Sequence, residues 1–486
     1  MAKDSGRPAK GRPGGYGQVT AEIAERIEEI CGEENVLFGD PGKLERYSRD
    51  QVVEKRYGHA PELVAKPRTA EQIAEILKLA NERRVPVTPR GAGSGLSGGA
   101  VPLYGGISLS LERMTSVLEI DTENLIAVVE PGVVTRELDT QLAEHDLFFA
   151  GYPLSREICY LGGNVAENAG GGRAVKYGVT GRYITGLELV TAAGRIVRFG
   201  GKRFKDVTGY SMVALMIGSE GTLGVFTKIW IRLLPRPRHR RELLALFPGV
   251  QAAISAVPEI LIKGKIVPSA IEFMDAVSFA EGCRSTKESF PIEEGGAALL
   301  LEADGAHEAQ VRAEMETIEG ICARAGARHT YPAETDEEIE RLWKIRERIA
   351  WALRRLGAHQ SAEDIVVPIA AIPRLLEETE RLGGKHGISI PNFGHAGDGN
   401  MHTTPIKDPD QAEDAWEETL HEVLTELYGI VRDLGGTISG EHGIGHKRRG
   451  YMPLVMSRDE LDMLRAVKRA LDPNNILNPG KIFDPE

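Results

Sequence analysis

At 486 residues the chain exceeds what one ordinary core holds, so two or three packed units sharing interfaces are expected. Hydrophobic residues at 42% and charged residues at 27% lie in the globular range and exclude a coiled coil, a collagen-like chain or long disorder. The net charge of −12, from 59 Lys plus Arg against 71 Asp plus Glu, has the wrong sign for a surface built around nucleic-acid phosphates, so no nucleic-acid partner is expected.

The first twenty residues are rich in Gly, Pro, Lys and Arg without an apolar core, and 1–20 reads as a flexible tail. Thr20 to Cys31 reads as a first helix, and a second starts at Thr69, with Gln72 three residues on as a capping-box signature. Ile73, Ile76, Leu77 and Ala80 then share one face. Val85-Pro86-Val87 reads as a short strand entering a glycine loop. From Leu125 to Leu234 strand-like runs dominate, namely Leu125 to Val129, Leu187 to Val190 and Phe226 to Leu233. The Pro235-Arg236-Pro237-Arg238 run marks a boundary, so residues 21–235 form one module. The basic stretch Arg236 to Arg241 reads as a solvated linker rather than a polyanion site, because prolines interrupt it and no aromatic residue interleaves it. Residues 236–471 form a second α+β module, with strands at Ala270 to Phe273 and Ala297 to Glu302 and helices at Ala306 to Ala325 and Asp336 to Leu356. The turn-rich segment 472–486 crosses back to the first module.

Cys31, Cys159, Cys283 and Cys322 form no CxxC pair, which excludes an iron–sulfur cluster or zinc finger of local spacing and fits free thiols in a reducing cytoplasm. No stretch approaches the ~18 apolar residues of a membrane span. No direct membrane insertion is expected, the expected location is cytoplasmic, and any membrane association would come through a partner.

Pro89-Arg-Gly-Ala-Gly-Ser-Gly-Leu-Ser-Gly-Gly-Ala100 contains a formal GxGxxG match, but Gly99, Pro102, Gly105 and Gly106 forbid the helix a Rossmann fingerprint needs. What remains is a run of small residues whose backbone N–H groups can line an anion-binding concavity, with Arg90 beside it. Gly162 to Gly172 offers a similar surface, and Gly218-Ser-Glu-Gly-Thr-Leu-Gly224 precedes a clear strand. Any one of these could be a tight turn; three in one module suggest a long, flat ligand.

These tracts, with Lys176-Tyr-Gly-Val-Thr180, resemble the FAD-binding module of the vanillyl-alcohol-oxidase superfamily. From about residue 30 the whole chain resembles its FAD-linked D-2-hydroxyacid dehydrogenases, the group of the glycolate oxidase catalytic subunit and D-lactate dehydrogenase. The resemblance implies an α+β fold, in which a PCMH-type FAD-binding domain of two α+β subdomains joins an α+β substrate (cap) domain with an antiparallel sheet. It implies flavin contacts from Pro89, Arg90, Gly91, Ala92, Gly93, Ser94, Gly95, Ser97 and Gly98, from Pro131 and Gly132, and from Gly162, Gly163, Asn164, Ala166, Gly170 and Gly171. Tyr177, Gly178, Val179, Glu220, Gly221, Gly224, Val225 and Asn478 complete the set. Some relatives attach flavin through a histidine in the first loop; residues 89–100 contain none, so non-covalent FAD is expected.

In Pro391-Asn-Phe-Gly-His-Ala-Gly-Asp-Gly-Asn-Met-His402, Asp398-Gly399 is a favoured two-residue hairpin turn. It would place His395 directly opposite His402, close enough for both imidazoles to reach one cation. Plain hairpin packing is the alternative. Ser439-Gly-Glu-His-Gly-Ile-Gly-His446 supplies a third ligand. The resemblance selects Glu441 for that role and His442 as catalytic base; chelation by His442 and His446 on a helix is the competing reading, disfavoured by Gly443 and Gly445. Zinc, manganese or iron suits such a site.

Arg346 falls in the middle of the apolar face Ile339, Leu342, Trp343, Ile349, Ala350 and Leu353, so it needs a partner. That partner is either a structural carboxylate or, as the Leu342-Trp-Lys-Ile-Arg-Glu347 pattern of the resemblance implies, a substrate carboxylate. The resemblance also makes Asn400 a catalytic residue. Apolar Ala350 favours lactate or glycolate over a dicarboxylate, and the resemblance implies the D enantiomer.

The chemistry implied is metal-assisted proton removal by His442 with hydride transfer to flavin, giving a 2-oxo acid. With neither cluster cysteines nor an NAD fingerprint in the chain, electrons are expected to leave through an iron–sulfur subunit or an electron-transferring flavoprotein. Rival readings are an oxygen-using oxidase, a flavin-carrying relay subunit and the metal-free alkyl transfer of ether-lipid synthesis.

Overall fold

The computed structural model describes residues 15–54 and 57–484. Of the tail expected at 1–20, residues 1–14 lie outside the described residues. Tyr16 and Val19 are buried, the Tyr16 hydroxyl donates to the Asn475 carbonyl and Gly17 N donates to Arg84 O, so the packed chain begins before residue 21.

The first half carries two larger sheets and a two-stranded ladder of Leu147–Phe148 with Leu234–Pro235. Leu63–Ala65, Ile107–Ser110 and Val87–Arg90 run parallel, with Val36–Phe38 antiparallel at one edge. The helices Ala21–Cys31 and Ala70–Glu82 bury Ile23, Ile27, Ile73, Ile76 and Leu77 against this sheet. Thr69 caps the second helix through Gln72 N, while the Gln72 side chain accepts from Arg68 N, one residue ahead of the capping-box position. The strand expected at 85–87 lies at Val87–Arg90 instead. Proline at 86 gives no N–H to the ladder, and pairing with Ile107–Ser110 runs to Arg90, the first basic residue of the glycine loop. The second sheet is antiparallel, in the order Val117–Asp121, Ile126–Val129, Val225–Arg232, Ile184–Val190, Ile196–Gly200.

The second half is built on one antiparallel seven-stranded sheet, in the order His329–Ala333, His239–Phe247, Ala297–Gly305, Ala270–Asp275, Asn392–His395, Asn400–Thr403, Glu363–Val366. Alternation along each strand sorts its two faces. Leu243, Ala245, Ile271, Phe273, Leu299, Leu301, Ile365 and Met401 meet the helices Val250–Pro258, Glu308–Arg324, Ile372–His386 and Glu413–Asp433. The opposite face carries Leu244, Leu246, Met274 and Leu300 under Ala276–Thr286 and Asp336–Ala352. That same face also carries the buried polar residues Glu242, Glu302, Glu272, His395, His402 and Asp364. The helix Asp336–Ala352 has the full capping box of Thr335 and Glu338.

The chain then returns to the first half earlier than residue 472. On the helix Arg458–Leu471, Val467 and Leu471 pack on the five-stranded sheet's core, and Lys468 Nζ donates to Thr222 O at 2.8 Å. Leu477 bridges Val87 in parallel, which extends the four-stranded sheet. Lys468 also holds Asp472 at 2.6 Å in buried surroundings. Lys468→Met leaves that carboxylate unpaired and is expected to cost about 3–5 kcal/mol in chemical denaturation. Lys385→Met, which breaks an exposed pair with Glu426, is expected to cost at most about 1 kcal/mol.

Candidate active site

A cavity of about 590 Å³ lies between the two halves. One wall is made of small residues: Pro89, Arg90, Gly91, Ala92, Gly93, Ser94 and Gly95, then Pro131, Gly162, Gly163, Asn164, Ala166 and Gly170, then Glu220, Gly221, Gly224 and Val225. A Cβ at Gly163 would meet nothing within 4 Å, and one at Gly91 would come no nearer than 3.7 Å to any atom, so both backbones present open space in which a flat ligand fits. The tract from Gly162 is not a plain loop. Leu161–Glu167 forms a short helix that ends at Asn168 in the left-handed conformation.

Eight of the expected flavin contacts stand behind this wall. Ser97 O accepts from His446 N and Lys447 N, Gly98 N donates to Asp50, and Gly132 N donates to Met114 O. Gly171 packs on the Tyr152 carbonyl, Gly178 ends the helix Ala174–Tyr177 at φ +79°, and Val179 follows it. Tyr177 donates to Asp304, and the Asn478 amide to Gly99 O and Glu220 O. Arg90 lines the cavity, but its guanidinium donates to Arg49 O at 2.8 Å and Ala100 O at 3.3 Å, bracing the loop.

The opposite wall carries His402, Glu441, His442 and Arg346. The hairpin that holds the histidines differs from the expected one. Four residues, 396–399, form the turn, Asp398 N and Gly399 N both donate to His395 O, and His395 pairs with Asn400 while His402 pairs with Phe393. A shift of two residues keeps every side chain on its face, so the two histidines still converge, diagonally. His395 Nε2 lies 3.4 Å from His402 Nε2 and 3.4 Å from Glu441 Oε1, and His402 Nε2 lies 3.5 Å from the same oxygen. These edges are long for hydrogen bonds. A triangle of that size fits a cation at the ~2.0–2.2 Å bond lengths of imidazole and carboxylate ligands.

Each histidine has an acid directly across the ladder, Glu272 opposite His395 and Asp364 opposite His402. Glu272 Oε1 is 2.6 Å from His395 Nδ1, which turns Nε2 toward the triangle. Asp364 Oδ2 accepts from Ser439 Oγ and from the backbone N of Gly440, Glu441 and His442, at 2.7–2.9 Å. It thereby fixes the turn that presents Glu441 and His442. Asp364, His402, Glu441 and His442 also gather their ligand atoms within 4.8 Å of one another. Four donors already fill Asp364 Oδ2 and the Asn400 amide takes Oδ1, so the tighter set with His395 is the better cation site.

Burial pushes the His402 imidazole down to about 3, outweighing Glu441. Burial also opposes charge on His395, but Glu272 and Glu441 overcome it and raise that imidazole well above its usual range. Two rings this close do not both carry a proton's charge, and Glu272 decides which one does. Burial works against ionisation of Asp364 too, and His442, His402 and Arg448 more than offset it, holding its carboxyl well below the usual range.

His442 stacks parallel to His402 with ring centroids 5.3 Å apart. Its Nε2 lies 4.0 Å from Glu441 Oε1 and its Nδ1 lies 3.9 Å from Asp364. The turn at 443–446 is not helical, and the His446 ring faces Tyr57 and His59, which removes the chelating pair with His442. Arg346 Nε stands 2.6 Å from Glu272 Oε2 as an ion pair whose geometry is not that of a hydrogen bond, and Nη2 is likewise buried without a hydrogen-bond partner among the described residues. The arginine thus has the structural carboxylate as its ion-pair partner and keeps hydrogen-bonding capacity beside the cavity. The Asn400 amide donates to Asp364 Oδ1 at 2.8 Å and Ile365 O at 3.0 Å, which braces Asp364, and Asn400 is not among the residues that line the cavity.

Sequence reasoning missed Glu272, Asp364 and the segment Pro153 to Tyr160, which closes one side of the cavity. An acid amid the apolar run Ala270-Ile-Glu-Phe-Met274 was the available sign for the first. The segment at 153–160 carries no such sign.

Residues 61–200 match the FAD binding domain family and residues 236–482 match the C-terminal domain of FAD linked oxidases. The chain is 40% identical to glycolate oxidase subunit GlcD of Bacillus subtilis (strain 168), covering 96% of this chain and 97% of that one. It is 39% identical to D-lactate dehydrogenase of Archaeoglobus fulgidus, over 86% of this chain and 91% of the relative. Among solved structures, p-cresol methylhydroxylase with substrate bound matches with a TM-score of 0.78 at 18% identity, covering 95% of this chain and 96% of that one. Alkyldihydroxyacetonephosphate synthase matches with a TM-score of 0.75 at 19% identity, over 96% and 85% of the two chains; at such identities the likeness concerns the fold. The chain therefore has the PCMH-type FAD-binding fold and belongs to the FAD-linked oxidases, as an oxidoreductase of the glycolate oxidase subunit and D-lactate dehydrogenase type.

Proposed function

We propose that the protein oxidises a small D-2-hydroxy acid, lactate or glycolate, to the 2-oxo acid. The observation that carries this reading is the triangle of His395, His402 and Glu441 beside His442 and Arg346, on the wall facing the glycine cradle. Flavin, held without a covalent bond, supplies the two-electron acceptor, and a divalent zinc, manganese or iron ion supplies Lewis acidity toward the substrate hydroxyl.

The chain's own groups do the rest. The vacant Nη2 of Arg346 binds the substrate carboxylate, a charge-assisted bond strengthened by burial. His395, His402 and Glu441 hold the cation. His442 Nε2, on the side of the ring nearer Glu441, accepts the hydroxyl proton. Apolar Ala350 lines the cavity one helical turn beyond Arg346 and gives no partner to a second carboxylate. The glycine cradle would hold the flavin, while Glu220 secures the base-bearing turn by accepting from Ile444 N at 2.8 Å and Gly445 N at 2.6 Å.

Electrons then pass to a protein partner, an iron–sulfur subunit or an electron-transferring flavoprotein, in keeping with relatives that are themselves named subunits. No helix among the described residues is long and apolar enough to cross a membrane. A cytoplasmic enzyme reaching any membrane through that partner is the arrangement proposed.

Replacing His442 with Ala is expected to leave bound flavin unchanged while anaerobic flavin reduction by D-lactate or glycolate slows by about 10²–10⁴-fold; reduction at the native rate would remove His442 as base. Arg346→Lys keeps the charge and loses the planar fork, so KM for the hydroxy acid should rise about tenfold or more with a smaller change in kcat. The opposite split, in steady-state kinetics, would count against the carboxylate role. Flavin reduced by substrate and then exposed to air should reoxidise slowly, and immediate reoxidation with peroxide would replace the protein partner with oxygen.

A further inference from the structure

Glu272 touches neither cavity nor solvent, yet both of its oxygens are committed to site residues. Oε1 lies 2.6 Å from His395 Nδ1 and Oε2 lies 2.6 Å from Arg346 Nε. We infer that Glu272 is a positioning residue that joins the cation-binding histidine and the carboxylate-binding arginine into one unit and so sets the span between hydroxyl and carboxylate that a substrate must match. The inference rests on the function proposed above.

The position follows from the sheet. Glu272 pairs with His395 across the antiparallel ladder, so their side chains rise side by side from one face. Arg346 comes down on that face from the helix Asp336–Ala352, over the ring of Phe393 at 4.9 Å. Gly172 of the first half closes the top. A Cβ there would stand 2.9 Å from Glu272 Oε1 and 3.0 Å from Trp343, so only glycine lets the two halves meet over the carboxylate. A carboxylate buried like this stays ionised only beside cationic or hydrogen-bonding partners, and here the two groups against it belong to the two functional residues. One arm fixes the His395 ring with Nε2 toward the ligand triangle. The other draws the Arg346 guanidinium against Glu272 by its Nε side as an ion pair, with Nη2 free of any hydrogen bond among the described residues.

Glutamine at 272 keeps the shape but has one acceptor oxygen for two donors. Its amide NH₂ must face either the His395 Nδ1 proton or the Arg346 Nε proton, and that arm releases its partner. A buried acid that served packing alone would behave like Glu302, which bonds Ser269, Trp343 and Arg173 on the same face and contacts neither His395 nor Arg346.

The test uses the flavin-loaded full-length protein, stripped with chelator and titrated with Mn²⁺ or Zn²⁺ alone, alongside KM and kcat for D-lactate and glycolate. Glu272→Gln should retain flavin and either weaken cation binding by about 10–100-fold or raise KM about tenfold or more with a smaller change in kcat. Glu302→Gln should lower the melting temperature and change neither. If Glu272→Gln does not hold flavin, Glu272→Asp, which keeps the charge one methylene short of both partners, is read in the same way. Native cation affinity together with native KM in the variant overturns the inference. Should the unmodified protein bind no cation that His402→Ala abolishes, it is the functional reading that fails, and that result is separate.

Discussion

Three ligand atoms held 3.4–3.5 Å apart in a buried place are an electrostatic problem before they are a catalytic device. Two imidazole nitrogens and a carboxylate oxygen repel one another through their lone pairs unless a proton or a cation sits among them. The surrounding structure answers to that demand. Glu272 and Asp364 stand opposite the two histidines, Asp364 gathers four donors from the turn that carries Glu441, and Asn400 steadies Asp364. None of these supporting groups needs to meet a substrate; they make the arrangement persist without one.

The two halves contribute differently to the same cavity. The first half offers backbone, with glycines leaving room for a flat cofactor. The second offers side chains, on the polar face of a sheet whose other face is a continuous apolar core. Their register depends on a few bonds across the seam. Glu220 receives Ile444 N and Gly445 N, and Ser97 O receives His446 N and Lys447 N. A turn bearing the candidate base is thereby pinned at one end by an acid of its own half, Asp364, and at the other by the half that holds flavin. Sharing a site across such a seam ties its geometry to how the halves pack, and the helix Arg458–Leu471 and the bridge at Leu477 return to the first half and hold that packing.

Much of this was legible in the residues. The helix cap at Thr69, the apolar face around Arg346 and the glycine runs beside strands are local patterns, and local patterns survive into the fold. The hairpin shows where that reading stops. An Asp-Gly pair favours a two-residue turn in isolation, but Gly399, at φ +87°, packs where a Cβ would come 2.1 Å from the Val367 carbonyl, and the turn widens to four residues. Because the shift is even, the convergence of His395 and His402 was foreseen for a partly wrong reason. Glu272 and Asp364 were missed because their partners lie on strands remote in sequence, and no periodicity reports cross-strand neighbours. The place of Asn400 in the motif likewise says nothing about which way its amide hydrogens are spent, and the structure turns them to Asp364 and Ile365.

The central claim is most directly tested by anomalous scattering from crystals of the flavin-loaded protein grown with zinc and recorded at the zinc edge. The account requires a peak about 2.0–2.2 Å from His395 Nε2, His402 Nε2 and Glu441 Oε1, with the fourth side open to the glycine cradle. A peak bonded to Asp364 in place of His395, or none at saturating zinc, would contradict it.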